Sequence, residues 1–422
     1  MNVEIKGRIE AIYRGEVPEG YRKTEIGIIP EDWEVKAIEK ILELKNGVNA
    51  KKEDYGHGIK FINVLDILNN NHINYENIIG KVNADERVIK NNSVSYGDIL
   101  FQRSSETVEE VGYANVYLDK KIAIFGGFVI RGRKIFDYEP LFLKELLNSD
   151  ISRRQIESRA AGSTRFNIGQ KELYEVKLSL PLIYEQQKIA QILSTWDKAI
   201  ELKEELIKKK REQKKGLMQK LLTGEMRLLG FGGDWEKVKL GEIFTERREI
   251  GCNDFELLAI TSDKGIVRRN EIVLKDTSSS DKSKYKKIMP LDIGYNTMRM
   301  WQGVSGVSKY KGIVSPAYTI LKPISVVNSY FMGYLFKMSQ IINLFRRYSQ
   351  GLVNDTLNLK YNNFRKIEVT IPRSLKEQKS IAQILSTADK EIELLTKELE
   401  LLKQQKKGLM QLLLTGIVRV KI

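Results

Sequence analysis

One helical element occurs twice in this chain, and this repeat constrains the fold more than any other feature. Ile-Ala-Gln-Ile-Leu-Ser-Thr occupies residues 189–195 and again residues 381–387. Gln-Lys-Lys-Gly-Leu-Met-Gln occupies residues 213–219 and again residues 405–411. The separation is the same in both cases, and it is far longer than the repeat of a solenoid. The sequence therefore predicts two domain-sized halves related by a pseudo-twofold axis.

Each half is also bounded by the same pair of predicted strands. Asp-Trp-Glu opens the first half at residues 32–34 and the second half at residues 234–236. An alternating apolar pattern closes each half, and it ends at Pro181 and at Pro372, directly before the long helix. Between these strands the halves share almost no sequence. A common frame is therefore predicted to hold two different inserts.

The chain length of 422 residues exceeds what a single hydrophobic core usually serves. The predicted fold class is α+β, with two similar globular α/β domains joined by two long helices that form an antiparallel coiled coil. The predicted parts are an N-terminal tail (1–19), a first globular domain (20–182), a central helical region (183–224), a second globular domain (225–374), and a distal helical region with a C-terminal tail (375–422).

The two helical copies carry the pattern of a coiled-coil seam, because their apolar side chains recur at alternating spacings of four and three. Lysines replace leucines in the middle of the first copy, and their aliphatic stems can still cover apolar surface. A helix of about 40 residues is about 60 Å long at ~1.5 Å per residue. An antiparallel pair would therefore hold two globular domains on the order of one to two turns of DNA apart, a turn being about 34–36 Å. The predicted seam consists of Ile189, Leu193, Trp196, Ile200, Ile207, Leu217, Leu221, Ile381, Leu385, Ile392, Leu395, Leu399, Leu402, Leu409 and Leu413.

The formal net charge of +15 indicates a polyanionic partner. Double-stranded DNA is the leading candidate. A membrane surface is the rival, but no transmembrane span is predicted, and the basic residues do not face an apolar stripe on one amphipathic helix. The N-terminus does not have the pattern of a signal peptide, and the lone Cys252 excludes an intramolecular disulfide. We therefore expect a cytoplasmic protein.

The residue patterns of common catalytic sites are missing from the sequence. Two histidines, His57 and His72, and one cysteine cannot form a zinc site of the usual ligand spacing. The sequence has no Walker-type phosphate loop and no Gly-x-Gly-x-x-Gly between a strand and a helix. It also lacks the paired prolines with which amino-methyltransferases hold a target base. We expect no catalytic residue, no metal and no cofactor bound by this chain.

Passages of three kinds resemble the DNA specificity subunit of type I restriction-modification enzymes. They are the run Lys-Thr-Glu-Ile-Gly-Ile-Ile-Pro-Glu-Asp-Trp at residues 23–33, the two Glu-Gln-x-x-Ile-Ala-x-x-Leu passages that each follow a strand-ending proline, and the two Leu-Leu-Thr-Gly helix ends. The resemblance spans nearly the whole chain. It implies that two target recognition domains each read one half of a split, non-palindromic DNA site, and that the coiled coil sets the spacing between the half-sites.

The same resemblance implies the partners. A specificity subunit has no catalytic activity and docks two methyltransferase subunits, which use S-adenosylmethionine. Two restriction subunits, which require ATP and Mg²⁺, can join them. The alternative is a stand-alone DNA-binding or coiled-coil scaffold protein without a methyltransferase partner. A self-sufficient nuclease or methyltransferase is a third class, and it predicts cofactor-dependent activity from the isolated chain.

Amide and basic side chains are the candidates for DNA contacts. Gln102 and Arg103 stand at the end of a predicted strand, and a similar passage presents Asn296 and Arg299. These side chains suit contacts with base edges, while a surface salt bridge is the alternative for each. Other basic residues are expected to contact phosphate, which positions a protein without specifying sequence. They are Arg153, Arg154, Arg159, Arg165, Arg268, Arg269, Lys284, Lys286, Lys287, Arg346 and Arg347.

One further pair of residues occupies equivalent positions in the two halves. Gly-Ser-Thr-Arg-Phe-Asn at residues 162–167 has the composition of a loop close to DNA. Its last residue, Asn167, occupies the same place in the first half as Asn358 does in the second. A structural role for this asparagine pair is the alternative to DNA contact.

Overall fold

The computed structural model describes residues 3–250, 255–272 and 281–421, so Cys252 lies outside the described residues. The chain divides into two compact units. Unit 1 comprises Met1–Glu204 and Glu398–Ile422, and unit 2 comprises Glu205–Lys397. Each unit therefore combines one globular part with one portion of each long helix.

Unit 1 begins with a helix and continues with short strands and helices up to the first long helix. The elements are α1 (Val3–Tyr13), β1 (Tyr21–Thr24), β2 (Gly27–Pro30), β3 (Glu34–Ala37), β4 (Leu42–Asn46), β5 (Tyr55–Ile62), α2 (Val64–Asn69), β6 (Lys81–Val82), α3 (Glu86–Asn92), β7 (Ser93–Val94), β8 (Ile99–Gln102), β9 (Ser104–Ser105), β10 (Ala114–Val116), β11 (Ala123–Phe125), β12 (Val129–Lys134), α4 (Pro140–Leu147), α5 (Asp150–Glu157), β13 (Phe166–Asn167), α6 (Gln170–Tyr174), β14 (Lys177–Leu180) and α7 (Ile183–Leu222).

Unit 2 takes up the chain within α7 and ends within the second long helix. Its further elements are β15 (Trp235–Lys239), α8 (Leu240–Ile243), β16 (Phe244–Glu246), β17 (Leu258–Thr261), β18 (Gly265–Arg268), β19 (Lys286–Ile288), β20 (Ile293–Asn296), β21 (Ser305–Val307), β22 (Gly312–Val314), β23 (Tyr318–Pro323), α9 (Ser329–Leu335), α10 (Ser339–Tyr348), α11 (Tyr361–Phe364), β24 (Glu368–Pro372) and α12 (Leu375–Leu414).

Each unit contains a central antiparallel sheet of four strands. The strand order is β4–β12–β8–β10 in unit 1 and β16–β23–β20–β21 in unit 2. The opening and closing strands pair with each other in both units, β3 with β14 and β15 with β24. These closing strands are shorter than the alternating patterns indicated, because the residues before them form α6 and α11. The shared frame accounts for the similarity at the ends of the two halves.

The inserts differ between the units. Unit 1 adds a second sheet in the order β6–β5–β11–β7, with β11 parallel to β5. Unit 2 instead adds two separate antiparallel strand pairs, the hairpin β17 with β18 and the pair β19 with β22. Each insert has a small apolar cluster of its own, apart from the main core of its unit. The structure thus confirms the predicted α+β class and the two similar globular parts.

The two long helices pack antiparallel in each unit. In unit 1, Lys203 contacts Glu398 at 2.8 Å and Asp197 contacts Lys406 at 2.6 Å, so the partner numbers fall as the α7 numbers rise. Unit 2 repeats the direction, because Lys210 pairs with Glu391. All predicted seam residues are buried or half-buried. The predicted antiparallel pairing of the helices is confirmed.

A buried carboxylate at the start of each long helix is held by an arginine from beyond the end of the other. In unit 1, the Arg419 guanidinium donates to Glu185 at 2.7 Å and to Asp32 at 2.8 Å. The Trp33 indole N–H also donates to Glu185. In unit 2, Arg227 pairs with Glu377 at 2.8 Å. These contacts recur at the separation of the sequence repeat and fix the ends of the helix pair.

A second repeated contact joins the globular part of each unit to its helices. In unit 1, Lys406 lies between Asp197, at 2.6 Å, and Glu145 of α4, at 3.5 Å. In unit 2, Asp389 accepts hydrogen bonds from Lys214 and from the Tyr334 hydroxyl of α9. Glu145 and Tyr334 hold the same position on the globular parts of the two units. The ion pair of Glu145 in unit 1 is therefore replaced in unit 2 by a hydrogen bond from the neutral Tyr334 hydroxyl.

Gly216 lies inside α7 and has no close neighbour. A Cβ added to Gly216 would meet no described atom within 4 Å. We expect Gly216→Ala to raise the free energy of unfolding by roughly 1 kcal/mol, because glycine costs about that much in a helix interior. Chemical denaturation of the full chain would measure this, and Gly408→Ala, which is equally open in the structure, serves as the matched repeat. Destabilisation by either change would contradict the open surroundings of these glycines.

Candidate DNA interface

In unit 1 a strand end, a turn and a short hairpin converge on one surface. The Arg103 amide, directly after β8, donates to the Phe128 carbonyl at 2.8 Å, and the Arg103 carbonyl accepts from the Ile168 amide at 3.0 Å. Two backbone hydrogen bonds of 2.9 and 2.8 Å between Ala161 and Asn167 close the hairpin. Residues 162–166 form its loop and lie beside the end of the strand. We call this segment the closing hairpin of unit 1.

Unit 2 repeats this arrangement with other residues. Thr297 stands where Arg103 stands in unit 1, because its amide donates to the Ala317 carbonyl at 3.3 Å and its carbonyl accepts from the Leu359 amide at 2.9 Å. Two hydrogen bonds of 2.8 Å between Gln350 and Asn358 close the second hairpin. Its loop, residues 351–357, is the closing hairpin of unit 2. Sequence analysis had identified the first loop but not the second.

The equivalent asparagines support the loops from within. The Asn167 side-chain amide donates to the Arg165 carbonyl at 3.2 Å, and the Asn358 amide donates to the Thr356 carbonyl at 3.2 Å. The Asn167 side-chain oxygen also accepts from the Ser104 hydroxyl. These contacts give the asparagine pair a structural role at the base of both hairpins.

Each loop also needs a glycine directly after the first closing residue. Gly162 has φ +134°, and an added Cβ would lie 2.0 Å from the Arg165 carbonyl oxygen. Gly351 has φ +141°, and an added Cβ would lie 2.6 Å from Thr356 backbone atoms. Residues with a side chain rarely adopt such backbone angles. An added Cβ would also clash with backbone atoms, which cannot move aside without straining the loop.

We therefore expect Gly162→Ala to open the closing hairpin of unit 1. Strain of this kind costs about 1–3 kcal/mol, so amide hydrogen exchange at Ala161 and Asn167 should speed up by about 5- to 150-fold. Native-state exchange followed by mass spectrometry or NMR would measure this. Gly7→Ala is the control in the same unit, because an added Cβ there meets nothing within 4 Å. Unchanged protection in the Gly162 variant would contradict the strain argument.

The candidate base-contact residues occupy different environments. Gln102 is only 2% exposed and donates to the Ser104 carbonyl at 3.0 Å, whereas Arg103, directly after the strand, is half-buried. Asn296 is half-buried. Arg299 is exposed and lies 3.7 Å from Asp355 of the second closing hairpin. Arg103 and Arg299 therefore lie on the surfaces that carry the hairpins, and their base contacts stay predictions.

The candidate phosphate contacts are also unequal. Arg153 is buried and donates to the Val111 carbonyl at 2.7 Å, where burial lowers the pKa of its guanidinium. It holds the unit together from within, because the helical spacing of α5 turns it toward the core. Lys286 donates to the Tyr318 carbonyl, and Lys287 pairs with Glu249 at 3.1 Å. Arg154, Arg165, Arg268, Lys284, Arg346 and Arg347 are exposed, and Arg159 and Arg269 are half-buried.

Two of these arginines lie against aromatic rings near the hairpins. The Arg165 guanidinium lies 5.7 Å from the Phe128 ring centre in unit 1. The Arg346 guanidinium lies 5.9 Å from the Trp301 ring centre in unit 2. Basic side chains interleaved with rings are typical of nucleic-acid surfaces. Sequence analysis missed Phe128 and Trp301, since neither shows a periodic pattern.

Within the described residues, no group of three or more His, Cys, Asp or Glu side chains is placed to hold a metal ion. In the same part of the chain, no helix combines the length and apolar character needed to cross a membrane. The surface described above instead offers charge, amide groups and exposed loops. These features suit recognition of a polyanion.

Comparison with known proteins agrees with this description. Residues 30–210 and 232–404 match the family described as the type I restriction modification DNA specificity domain. A Methanocaldococcus jannaschii protein described as the MjaX specificity subunit of a type I restriction enzyme is 27% identical over 441 aligned positions, which cover 96% of this chain and 97% of that protein. The MjaVIII specificity subunit from the same organism is 27% identical over 245 positions, 54% of this chain and 55% of its own length.

Solved structures share the fold. The S subunit of the type I restriction-modification system of M. genitalium superposes with a TM-score of 0.54 at 17% identity, covering 92% of this chain and 96% of that one. A chain from a structural study of complex assembly and conformational transition in a type I system gives the same TM-score at 15% identity, covering 92% of this chain and 99% of that one.

Proposed function

Because the chain belongs to the family of the type I restriction modification DNA specificity domain, we propose that each of its units reads one half of a split, non-palindromic DNA site. The observation that carries this proposal is the repeated interface. Both units present a strand end, a turn and a closing hairpin in the same backbone arrangement, yet with different side chains. A shared frame with different surfaces is what two dissimilar half-sites require.

The helix pair sets the spacing between the half-sites. Helices α7 and α12 are each 40 residues long without a break, and both contribute to both units. A continuous helix is a stiff spacer of about 1.5 Å per residue. The arginine–glutamate pairs at the helix ends support this role, because they hold the helices in one register.

The chain itself is non-catalytic and works with partner subunits in the cytoplasm. It docks two methyltransferase subunits, which supply S-adenosylmethionine chemistry, and two restriction subunits, which use ATP and Mg²⁺. Exposed leucines on the long helices support docking, Leu202 and Leu401 in unit 1 and Leu206 and Leu394 in unit 2. Such side chains lose water contact favourably when a partner covers them.

Methylation mapping of the native genome tests this proposal. We expect a two-part motif, methylated on both strands, whose methylation disappears when this chain is deleted. Copurification from native lysate should recover a methyltransferase subunit, and its absence would favour a stand-alone scaffold protein. The isolated chain should show no activity with Mg²⁺ or S-adenosylmethionine, and cofactor-dependent cleavage or methylation by it would overturn the assignment.

A further inference from the structure

The closing hairpin of unit 2 exposes two apolar side chains at its tip. Leu352 is 102% exposed and Val353 is 61% exposed. They follow Gly351, whose left-handed backbone projects the loop away from its closing residues. Two adjacent apolar side chains held in water gain stability only when another surface covers them.

Hydrogen bonds at the base hold this tip in place. The Thr356 hydroxyl donates to the Val353 carbonyl at 3.0 Å and accepts from the Val353 amide at 3.3 Å. Arg346 donates to the Asn354 side-chain oxygen at 3.3 Å. The backbone behind Leu352 is therefore ordered in advance, so binding through the tip costs little conformational entropy.

The surroundings of the tip are basic. Arg346, which donates to Asn354 at 3.3 Å, and Arg299 are both exposed beside the loop, and the Asp355 carboxylate lies 3.7 Å from Arg299. An exposed ion pair of this kind is weak, so it leaves Arg299 free to exchange partners. An apolar tip within a basic surface fits DNA, in which charged phosphates flank apolar groups on the bases.

The equivalent tip in unit 1 has another chemistry. Its loop begins Gly-Ser-Thr-Arg at residues 162–165, and Arg165 packs over Phe128. The closing hydrogen bonds and the glycine are the same in both units. The tip is therefore the part of the interface that changes while its support is kept, which is the behaviour of an element that reads sequence.

We propose that Leu352 and Val353 contact the C5-methyl group of thymine in the half-site read by unit 2. This inference rests on the proposed function. In the major groove the thymine methyl is the one apolar group that distinguishes a base pair. A leucine tip gains nothing from phosphate, whereas it buries both its own surface and that methyl on contact.

Uracil substitution tests the inference, because uracil pairs as thymine does but lacks the methyl group. The full chain with its native methyltransferase partner is titrated with duplexes carrying the bipartite site, at fixed salt. Replacing the contacted thymine in the half-site of unit 2 should weaken binding about three- to fivefold, the value of one buried methyl. The same replacement in the half-site of unit 1 should not change the contribution that this tip makes to affinity.

Variants complete the test. In Leu352→Ala the preference for thymine over uracil should fall to near onefold, while binding to duplex without the site is retained. Leu229→Ala is the matched control, since Leu229 is an equally exposed leucine of unit 2 and should keep the wild-type preference. Equal wild-type affinity for thymine and uracil, or an unchanged preference in Leu352→Ala, would overturn the inference. A half-site without any A·T pair would do the same.

The two proposals fail differently. If the wild-type complex binds its split site but ignores the methyl group, the thymine contact is wrong and the specificity function stands. If the wild-type complex prefers no split site at all, the proposed function falls and the inference falls with it. If Leu352→Ala impairs capture of a protein partner and leaves thymine discrimination intact, the tip serves protein binding and the inference is overturned.

Discussion

A duplex whose spacer is one base pair longer or shorter than the natural site should bind at least about 100-fold more weakly. One base pair moves the second half-site by about 3.4 Å and turns it by about 35°, since a turn of DNA holds about 10–10.5 base pairs. Under the proposed function, stiff helices cannot follow that rotation, so one unit would lose its base contacts. Each lost base pair costs about 1–3 kcal/mol, and three of them exceed a factor of 100.

Competition binding at fixed salt would measure this effect. Changing the base composition of the spacer without changing its length is the control and should have little effect. Adding a full turn of about 10 base pairs restores the helical phase but moves the half-site by about 34 Å. We expect no recovery there, because helices that act as the proposed spacer set distance as well as angle. Binding that ignores spacer length would contradict the spacer role of α7 and α12.

Glu145→Ala should destabilise the chain by about 3–5 kcal/mol. Glu145 is 4% exposed and sits between Lys144 and Lys406, with the Lys406 ammonium 3.5 Å away. Removing the carboxylate leaves the buried Lys144 ammonium without its paired carboxylate and leaves Lys406 with Asp197 alone, and an uncompensated buried charge is among the most costly single changes in a protein. The loss should also loosen α4 from the helix pair, because Lys406 belongs to α12.

Chemical denaturation would give the change in the free energy of unfolding. Glu201→Ala is the control, because Glu201 forms an exposed pair with Lys198 and should matter little. Burial alone would raise the pKa of Glu145, but Lys144 and Lys406 outweigh it and lower that pKa. The stabilisation is therefore present above the usual carboxyl range near pH 4.3 and lost as pH falls below it. A difference between wild type and Glu145→Ala that persisted unchanged in acid would contradict this assignment.

Elements with local signals were predictable from the sequence. The long helices follow from apolar residues at spacings of four and three, and the ends of β8 and β20 follow from short apolar runs after a turn. The asparagine pair was visible as an equivalence, and the hydrogen bonds at the hairpins agree with the structural role that was the alternative to DNA contact. Periodicity reports which face of an element is apolar, and it therefore locates helices and strands reliably when they are long or strongly patterned.

The direction of side chains at the interface was harder to predict from the sequence. Gln102 and Arg103 are neighbours in sequence, yet the first is buried and the second is half-buried. Arg153 and Arg154 divide in the same way on α5. The exposed tip at Leu352 had no signal in the sequence. The exposure of two neighbouring residues depends on where the loop is closed, and not on the periodic spacing of apolar residues along a helix or strand.

The sequence by itself determined the doubled plan, the helix seam, the basic character of the chain and its family. These properties depend on composition and on periodic or repeated residues along the chain. Tertiary structure alone decided which charges are buried and which loops meet. Glu145 and Lys406 lie far apart in sequence, as do Arg103 and the hairpin that ends at Asn167. Contacts of that kind arise only when the chain has closed long loops, and no local pattern records their partners.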